Sequence, residues 1–177
     1  MFGKSIRWLT PVAAAATLIL TAPAANAVVS RPPQLQNFSF SLDAEAGEGC
    51  SFDVTVTGTG GKITQIVLPD GRIFTAGKGV LLTYTNVDPA DPGFGKTYTV
   101  KTAGSVAKYE ELSPGGKVTA TFTGHNGFVY FGNDVDGAGI TQYTGKLVLT
   151  LKSFATFKVE SIDATAGQTV DVCAALS

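Results

Sequence analysis

Few side chains in this sequence are equipped for covalent or acid–base chemistry, and their spacing sorts them. His125 is the only histidine. A general base needs a nucleophile and an orienting partner, and no Gly-x-Ser-x-Gly signature supplies them. Its place beside Asn126-Gly127 predicts a solvent-facing turn residue. The most suggestive stretch is Asn133-Asp134-Val135-Asp136-Gly137-Ala138-Gly139. Asn133, Asp134 and Asp136 put three oxygen-bearing side chains on a glycine-rich loop, which is the donor chemistry calcium takes. The helix–loop–helix calcium pattern fails, because with Gly137 in sixth place Tyr143 stands twelfth, where a bidentate Glu belongs. The segment is expected to be a polar loop, with a calcium site completed by distant residues as the metal alternative. No other cofactor is expected.

Carboxylates occur elsewhere in small groups. Glu110-Glu111 and Asp43, Glu45 and Glu48 are the pairs from which glycosidase chemistry would be built, but that needs a set separation across a cleft. Asp88 and Asp91 are each followed by proline and predict a stiff surface turn. Gly58-Thr-Gly-Gly-Lys62 lacks both the spacing and the Ser/Thr of a phosphate-binding loop. Tyr84, Tyr98, Tyr109, Tyr130 and Tyr143 offer rings that could stack on sugars. Core packing and strand pairing are the expected use of most of them.

Two cysteines, Cys50 and Cys173, stand far apart in the chain. No third or fourth cysteine completes a metal motif, and redox pairs usually sit close together. A structural disulfide closing nearly the whole domain is expected.

Two-residue alternation dominates the rest. Phe38, Phe40 and Leu42 alternate with polar neighbours, as do Phe52, Val54 and Val56. The same holds for Val118, Ala120 and Phe122, for Leu147, Leu149 and Leu151, and for Val170 and Val172. This period marks strands with one buried face. Weaker strands fit 63–68, 72–75, 80–86, 97–102, 106–110, 128–131 and 156–160. Pro69-Asp70-Gly71 suits a tight turn. Asn126-Gly127 suits a type I′ hairpin between 118–123 and 128–131. Nowhere past the leader do apolar residues keep helical spacing for three turns. The fold class is all-β: an antiparallel β-sandwich with Greek-key or jelly-roll-like connections, with a closed barrel as the alternative.

The first twenty-seven residues read as an address. Lys4 and Arg7 precede the apolar run from Trp8 to Leu20, and Ala25-Asn26-Ala27 ends in small residues. That is a Sec-type signal peptide with cleavage after Ala27. The apolar run of about 13 residues falls short of the roughly 20 needed to span a bilayer. Residues 28–35 form a loose lead, and 36–177 a single domain. Cleavage removes two of the 13 basic residues against 14 acidic ones, so no basic face exists for nucleic acid. No membrane span is expected after cleavage.

Several segments share one pattern: Leu68-Pro-Asp-Gly-Arg72, Val80-Leu-Leu-Thr-Tyr-Thr-Asn86, Gly95-Lys96, Gly124-His-Asn-Gly-Phe-Val-Tyr130, Tyr143-Thr-Gly-Lys146 and Asp171-Val-Cys-Ala-Ala-Leu176. Together with the leader they resemble uncharacterised small secreted β-rich proteins of actinobacteria. The resemblance implies a secreted β fold with a late cysteine. It implies no activity and no catalytic residue.

The expected function is that of a secreted, non-enzymatic β-sandwich binding a glycan, a cell-envelope component or a protein partner. The competing expectation is a secreted carboxylate-dependent hydrolase acting on polysaccharide, with or without calcium.

Overall fold

The computed structural model describes residues 28–30, 37–68 and 72–177. The leader, residues 31–36 and the Pro69-Asp70-Gly71 turn lie outside them. Among the described residues, eleven strands are followed by one helical turn: β1 (Val28–Ser30), β2 (Phe38–Leu42), β3 (Val54–Thr59), β4 (Lys62–Val67), β5 (Ile73–Lys78), β6 (Leu81–Asn86), β7 (Thr97–Lys101), β8 (Val106–Glu111), β9 (Val118–Tyr130), β10 (Gly139–Leu151), β11 (Val159–Asp171) and α1 (Val172–Leu176).

The strands form two antiparallel sheets. A four-stranded sheet has the order β2-β3-β6-β7, and a long sheet the order β1-β4-β5-β8-β9-β10-β11. The non-consecutive neighbours β3–β6 and β5–β8 arise because the hairpin between each pair crosses to the other sheet. This is the Greek-key-like sandwich that the alternation predicts. Val28–Ser30 pairs with β4, from Val28 opposite Val67 to Ser30 opposite Gln65, so the front of the lead is a strand rather than loose chain.

Other details depart from the sequence expectation. Asn126-Gly127 is no hairpin. β9 continues through it, paired with β10 from Val118–Leu151 to Tyr130–Gly139. Gly127 serves close approach instead: a Cβ there would stand 2.6 Å from the Tyr84 hydroxyl of the facing sheet. The expected strand 156–160 starts only at Val159, and Val159 to Asp171 is one continuous strand, β11, while Val172 already opens α1. There the Asp171 carboxylate caps α1 by accepting from the Ala174 N–H at 3.0 Å.

The long sheet turns sharply at a row of glycines. Gly124, Gly145 and Gly167 lie opposite one another across β9, β10 and β11, with φ of 86°, 122° and 113°. These are backbone conformations that side-chain-bearing residues avoid. A Cβ on Gly145 would sit 2.2 Å from the Ala166 carbonyl oxygen, and one on Gly167 2.0 Å from that of Thr144. The bend folds the sheet onto itself. The Phe122 and Phe128 rings are 4.8 Å apart, whereas six residues of straight strand would separate them by about 20 Å.

Two cores result. Between the sheets, Leu42, Val54, Val56, Leu82 and Tyr84 meet Val129 and Ile140, with Val172 and Leu176 of α1 closing one end. Inside the folded long sheet, Tyr109, Phe122, Phe128, Tyr130 and Tyr143 pack with Leu147, Leu149 and Leu151. The Cys50–Cys173 disulfide, spanning a sequence separation of 123 and a Cα distance of 5.4 Å, ties α1 to the β2–β3 connection. Among the described residues no helix is long and apolar enough to cross a membrane.

Candidate binding face and the placement of the polar residues

The inner side of the four-stranded sheet fixes its outer side. Phe38, Phe40, Leu42, Val54, Val56, Leu82, Tyr84, Tyr98 and Val100 all turn inward. A slip of one residue would send every one of them to solvent, so register is strongly specified. The Phe38 ring also lies over Gly58, where a Cβ would meet it at 2.2 Å. The residues between must therefore align outward, and they are all hydroxyl-bearing. Ser39, Thr57, Thr83 and Thr99 stand in one row across the four strands; Ser41, Thr55, Thr85 and Thr97 stand in the next.

The result is a two-by-four array of hydroxyls, stepped about 4.8 Å from strand to strand and about 7 Å between rows. Ser39, Ser41, Thr97 and Thr99 are exposed and the central four are half-buried. Thr83 Oγ1 lies 3.1 Å from Thr99 Oγ1, and Thr57 Oγ1 donates to the Thr83 carbonyl at 3.5 Å. Neither row contains a charge. Along the adjoining margin run Thr59, Leu81 and Lys101. The outward surface of the long sheet differs: Lys108 pairs with Glu110 at 2.8 Å and Lys117 with Glu160 at 2.9 Å. Glu160 holds the Lys117 pKa up, and Lys117 draws the Glu160 pKa down.

The residues singled out by chemical type have other positions. Asp134 is buried. Its Oδ2 accepts from the Phe131 N–H at 2.8 Å and its Oδ1 from the Val159 N–H at 2.9 Å. The Val135 N–H also donates to the Val159 carbonyl at 3.2 Å. Together these bonds close the tip of the β9–β10 hairpin onto the start of β11. Asn133 and Asp136 are exposed. Calcium needs oxygens converging on one point, and here the buried carboxylate serves as a backbone clamp. Among the described residues no group of three or more His, Cys, Asp or Glu side chains is placed to hold a metal ion.

Several other carboxylates serve turns. Asp43 Oδ1 accepts from Glu45 N–H at 2.8 Å, Glu111 Oε1 from Gly115 N–H at 2.8 Å, and Asp88 Oδ1 from Ala90 N–H at 2.8 Å. Asp91 Oδ1 receives the Asn86 amide and the Gly93 N–H, both at 2.7 Å. That stitches the 87–96 loop into the stiff turn its prolines predict. Glu48 reaches back to the Asp43 N–H at 3.4 Å.

His125 sits mid-strand in β9, not in a turn. Its Nδ1 lies 3.3 Å from Thr144 Oγ1, and its carbonyl accepts from the Ser105 hydroxyl. Four of the five tyrosines are buried, and Tyr98 packs against the inter-sheet core. They form no aromatic sugar platform. Tyr130 and Tyr143 share a hydrogen bond of 2.9 Å, and burial raises the Tyr84, Tyr109 and Tyr130 pKa values well above the ordinary phenol range.

The hydroxyl array is the feature that reading by chemical type passes over. Its signal is present in the sequence as Ser39-x-Ser41, Thr55-x-Thr57, Thr83-x-Thr85 and Thr97-x-Thr99. No family model matches the chain, and no curated protein or solved structure matches it.

Proposed function

We propose that the chain is an exported, non-enzymatic binding module that holds a neutral, hydroxyl-rich glycan of the cell envelope against the outer face of its four-stranded sheet. The observation that carries this reading is the in-register array of eight uncharged Ser and Thr hydroxyls. Each hydroxyl both donates and accepts, which matches a sugar surface that does the same, directly or through bridging water. A single such bond adds only about 1 kcal/mol. A polymer that engages many of them gains by repetition what no single contact supplies. Export rests on the leader pattern at residues 1–27. The Cys50–Cys173 disulfide is compatible with an oxidising compartment.

The test is co-sedimentation with isolated envelope and with insoluble neutral polysaccharides, at low and high salt. The expected result is pelleting that salt leaves unchanged, because no charge takes part. The triple change Thr57→Val, Thr83→Val and Thr85→Val removes three hydroxyls while keeping branched, strand-favouring side chains. It is expected to lower binding at least tenfold with no change in thermal midpoint. Thr119→Val with Thr121→Val on the long sheet is the control and is expected to bind normally. Pelleting that vanishes in salt, or survives the triple change intact, overturns the assignment of this face.

A further inference from the structure

β11 is the outer strand of the long sheet, and every residue from Asp163 to Asp171 is exposed. An outer strand carries a row of free N–H and C=O groups that templates another strand, unless charge, proline, a bulge or a cover blocks it. Here the blocking devices stand at the ends. Register shifts interrupt the β10–β11 pairing at Val148/Leu149 and Thr150/Leu151, and Asp163 and Asp171 flank the exposed stretch. Between them Ala164-Thr-Ala-Gly-Gln-Thr-Val170 has neither charge nor proline.

This edge is not straight. Gly167, at φ 113°, carries the sheet's bend out to its border. A strand added here must bend at the same point, in a conformation that L side chains rarely adopt. An arbitrary extended peptide lacks a glycine in that register, whereas a second copy of β11 has one. We propose that two copies of this chain pair antiparallel through β11 about a twofold axis at Gly167, joining the two long sheets into one. In this register Ala166 lies opposite Gln168 of the other copy, Thr165 opposite Thr169, and Ala164 opposite Val170. No like charges meet across the central run.

Asp163 falls opposite Asp171 at the ends. Both carboxylates are already engaged within their own chain. Asp163 accepts from Thr150 and Ser161 hydroxyls at 2.7 Å each, and Asp171 caps α1. The residual repulsion is screened by salt, so association strengthens as salt rises. A strand-to-strand contact alone covers less than the roughly 1,200 Å² of a stable pair. The dimer is accordingly a weak one, forming only at high protein concentration.

Sedimentation of the purified chain from micromolar to millimolar concentration tests this. The expected result is a monomer–dimer equilibrium that tightens with added salt. Ala166→Lys with Gln168→Lys places lysine opposite lysine twice and is expected to weaken the dimer at least tenfold. Ala166→Glu with Gln168→Lys places opposite charges face to face twice in the same register and is expected to restore or tighten it. Hydrogen exchange on the unaltered chain gives a reading that needs no variant: protection of the 164–170 amides is expected to rise with concentration. A chain that stays monomeric to millimolar concentration, two double variants that behave alike, or exchange at 164–170 indifferent to concentration would each overturn the proposal.

Discussion

The core under the four-stranded sheet forms where two separate layers meet, whereas the core inside the long sheet forms because one layer folds over itself. The first is rich in Val and Leu and is closed by α1 and a disulfide. The second gathers Tyr109, Phe122, Phe128, Tyr130 and Tyr143, with edge-to-face pairs at 5.7 and 4.8 Å. Its closure is non-covalent, through glycine geometry and the Asp134 clamp. The difference teaches that a sheet can supply its own cover if its backbone yields at one row.

The sharpest way to break that comparison is at the bend. Gly145→Val places a branched side chain at φ 122°, with its Cβ 2.2 Å from the Ala166 carbonyl. It is expected to destabilise by more than about 4 kcal/mol, read as loss of cooperative unfolding in urea. An effect under 1 kcal/mol would show that the bend is not obligatory.

Next comes the covalent staple. Reduction, or Cys50→Ala with Cys173→Ala, is expected to lower stability by about 4–5 kcal/mol. If exchange rates rise first in the 164–170 and 119–123 regions rather than near α1 and β2, the two cores are not stabilised separately.

Alkali probes both cores unequally. The buried hydroxyls of Tyr84, Tyr109 and Tyr130 keep their protons in the fold, while in the unfolded chain they ionise near pH 10. Stability from the neutral phenols is fully present below pH 10 and is lost as pH rises beyond it, by about 1.4 kcal/mol per group per pH unit. About 4 kcal/mol is expected to be gone by pH 11. Tyr109→Phe with Tyr130→Phe is expected to remove two thirds of that slope and Tyr84→Phe one third, measured by urea titration at stepped pH.

The smallest of these effects is at the clamp. Asp134→Ala leaves the Phe131 and Val159 N–H groups without their acceptor, at about 3 kcal/mol. Asp134→Asn keeps one acceptor and is expected to cost about half as much. Added calcium that raises the wild-type thermal midpoint, but not that of Asp134→Asn, would return the loop to metal chemistry.

Strand identity was legible because alternation is a local signal. Phe38, Phe40 and Leu42 mark β2 without reference to any partner. Asn126-Gly127 misled because glycine has two uses. In a turn it supplies unusual dihedrals, and here it lets the Tyr84 hydroxyl approach. Gly124, Gly145 and Gly167 look unrelated in a line of text and become one feature only once β9, β10 and β11 are paired. The hydroxyl array has the same character. Each Ser-x-Ser or Thr-x-Thr pair is visible alone, but nothing local says that β2, β3, β6 and β7 are neighbours. Asp134 was found as an oxygen donor. Its real partners are two backbone amides, one of them 25 residues away, and composition carries no trace of that.

The covering of the four-stranded sheet has a consequence for the order in which the molecule can assemble. Its strands are complete by Lys101, yet Val129, Ile140, Val172 and Leu176, which shield its inner face, come later in the chain. Until the β9–β10 hairpin has joined it, the apolar side of this sheet has no cover. Cys50 stays without its partner until α1 is made. Sulfur–sulfur closure therefore needs both ends of the domain in place, and it records completed assembly.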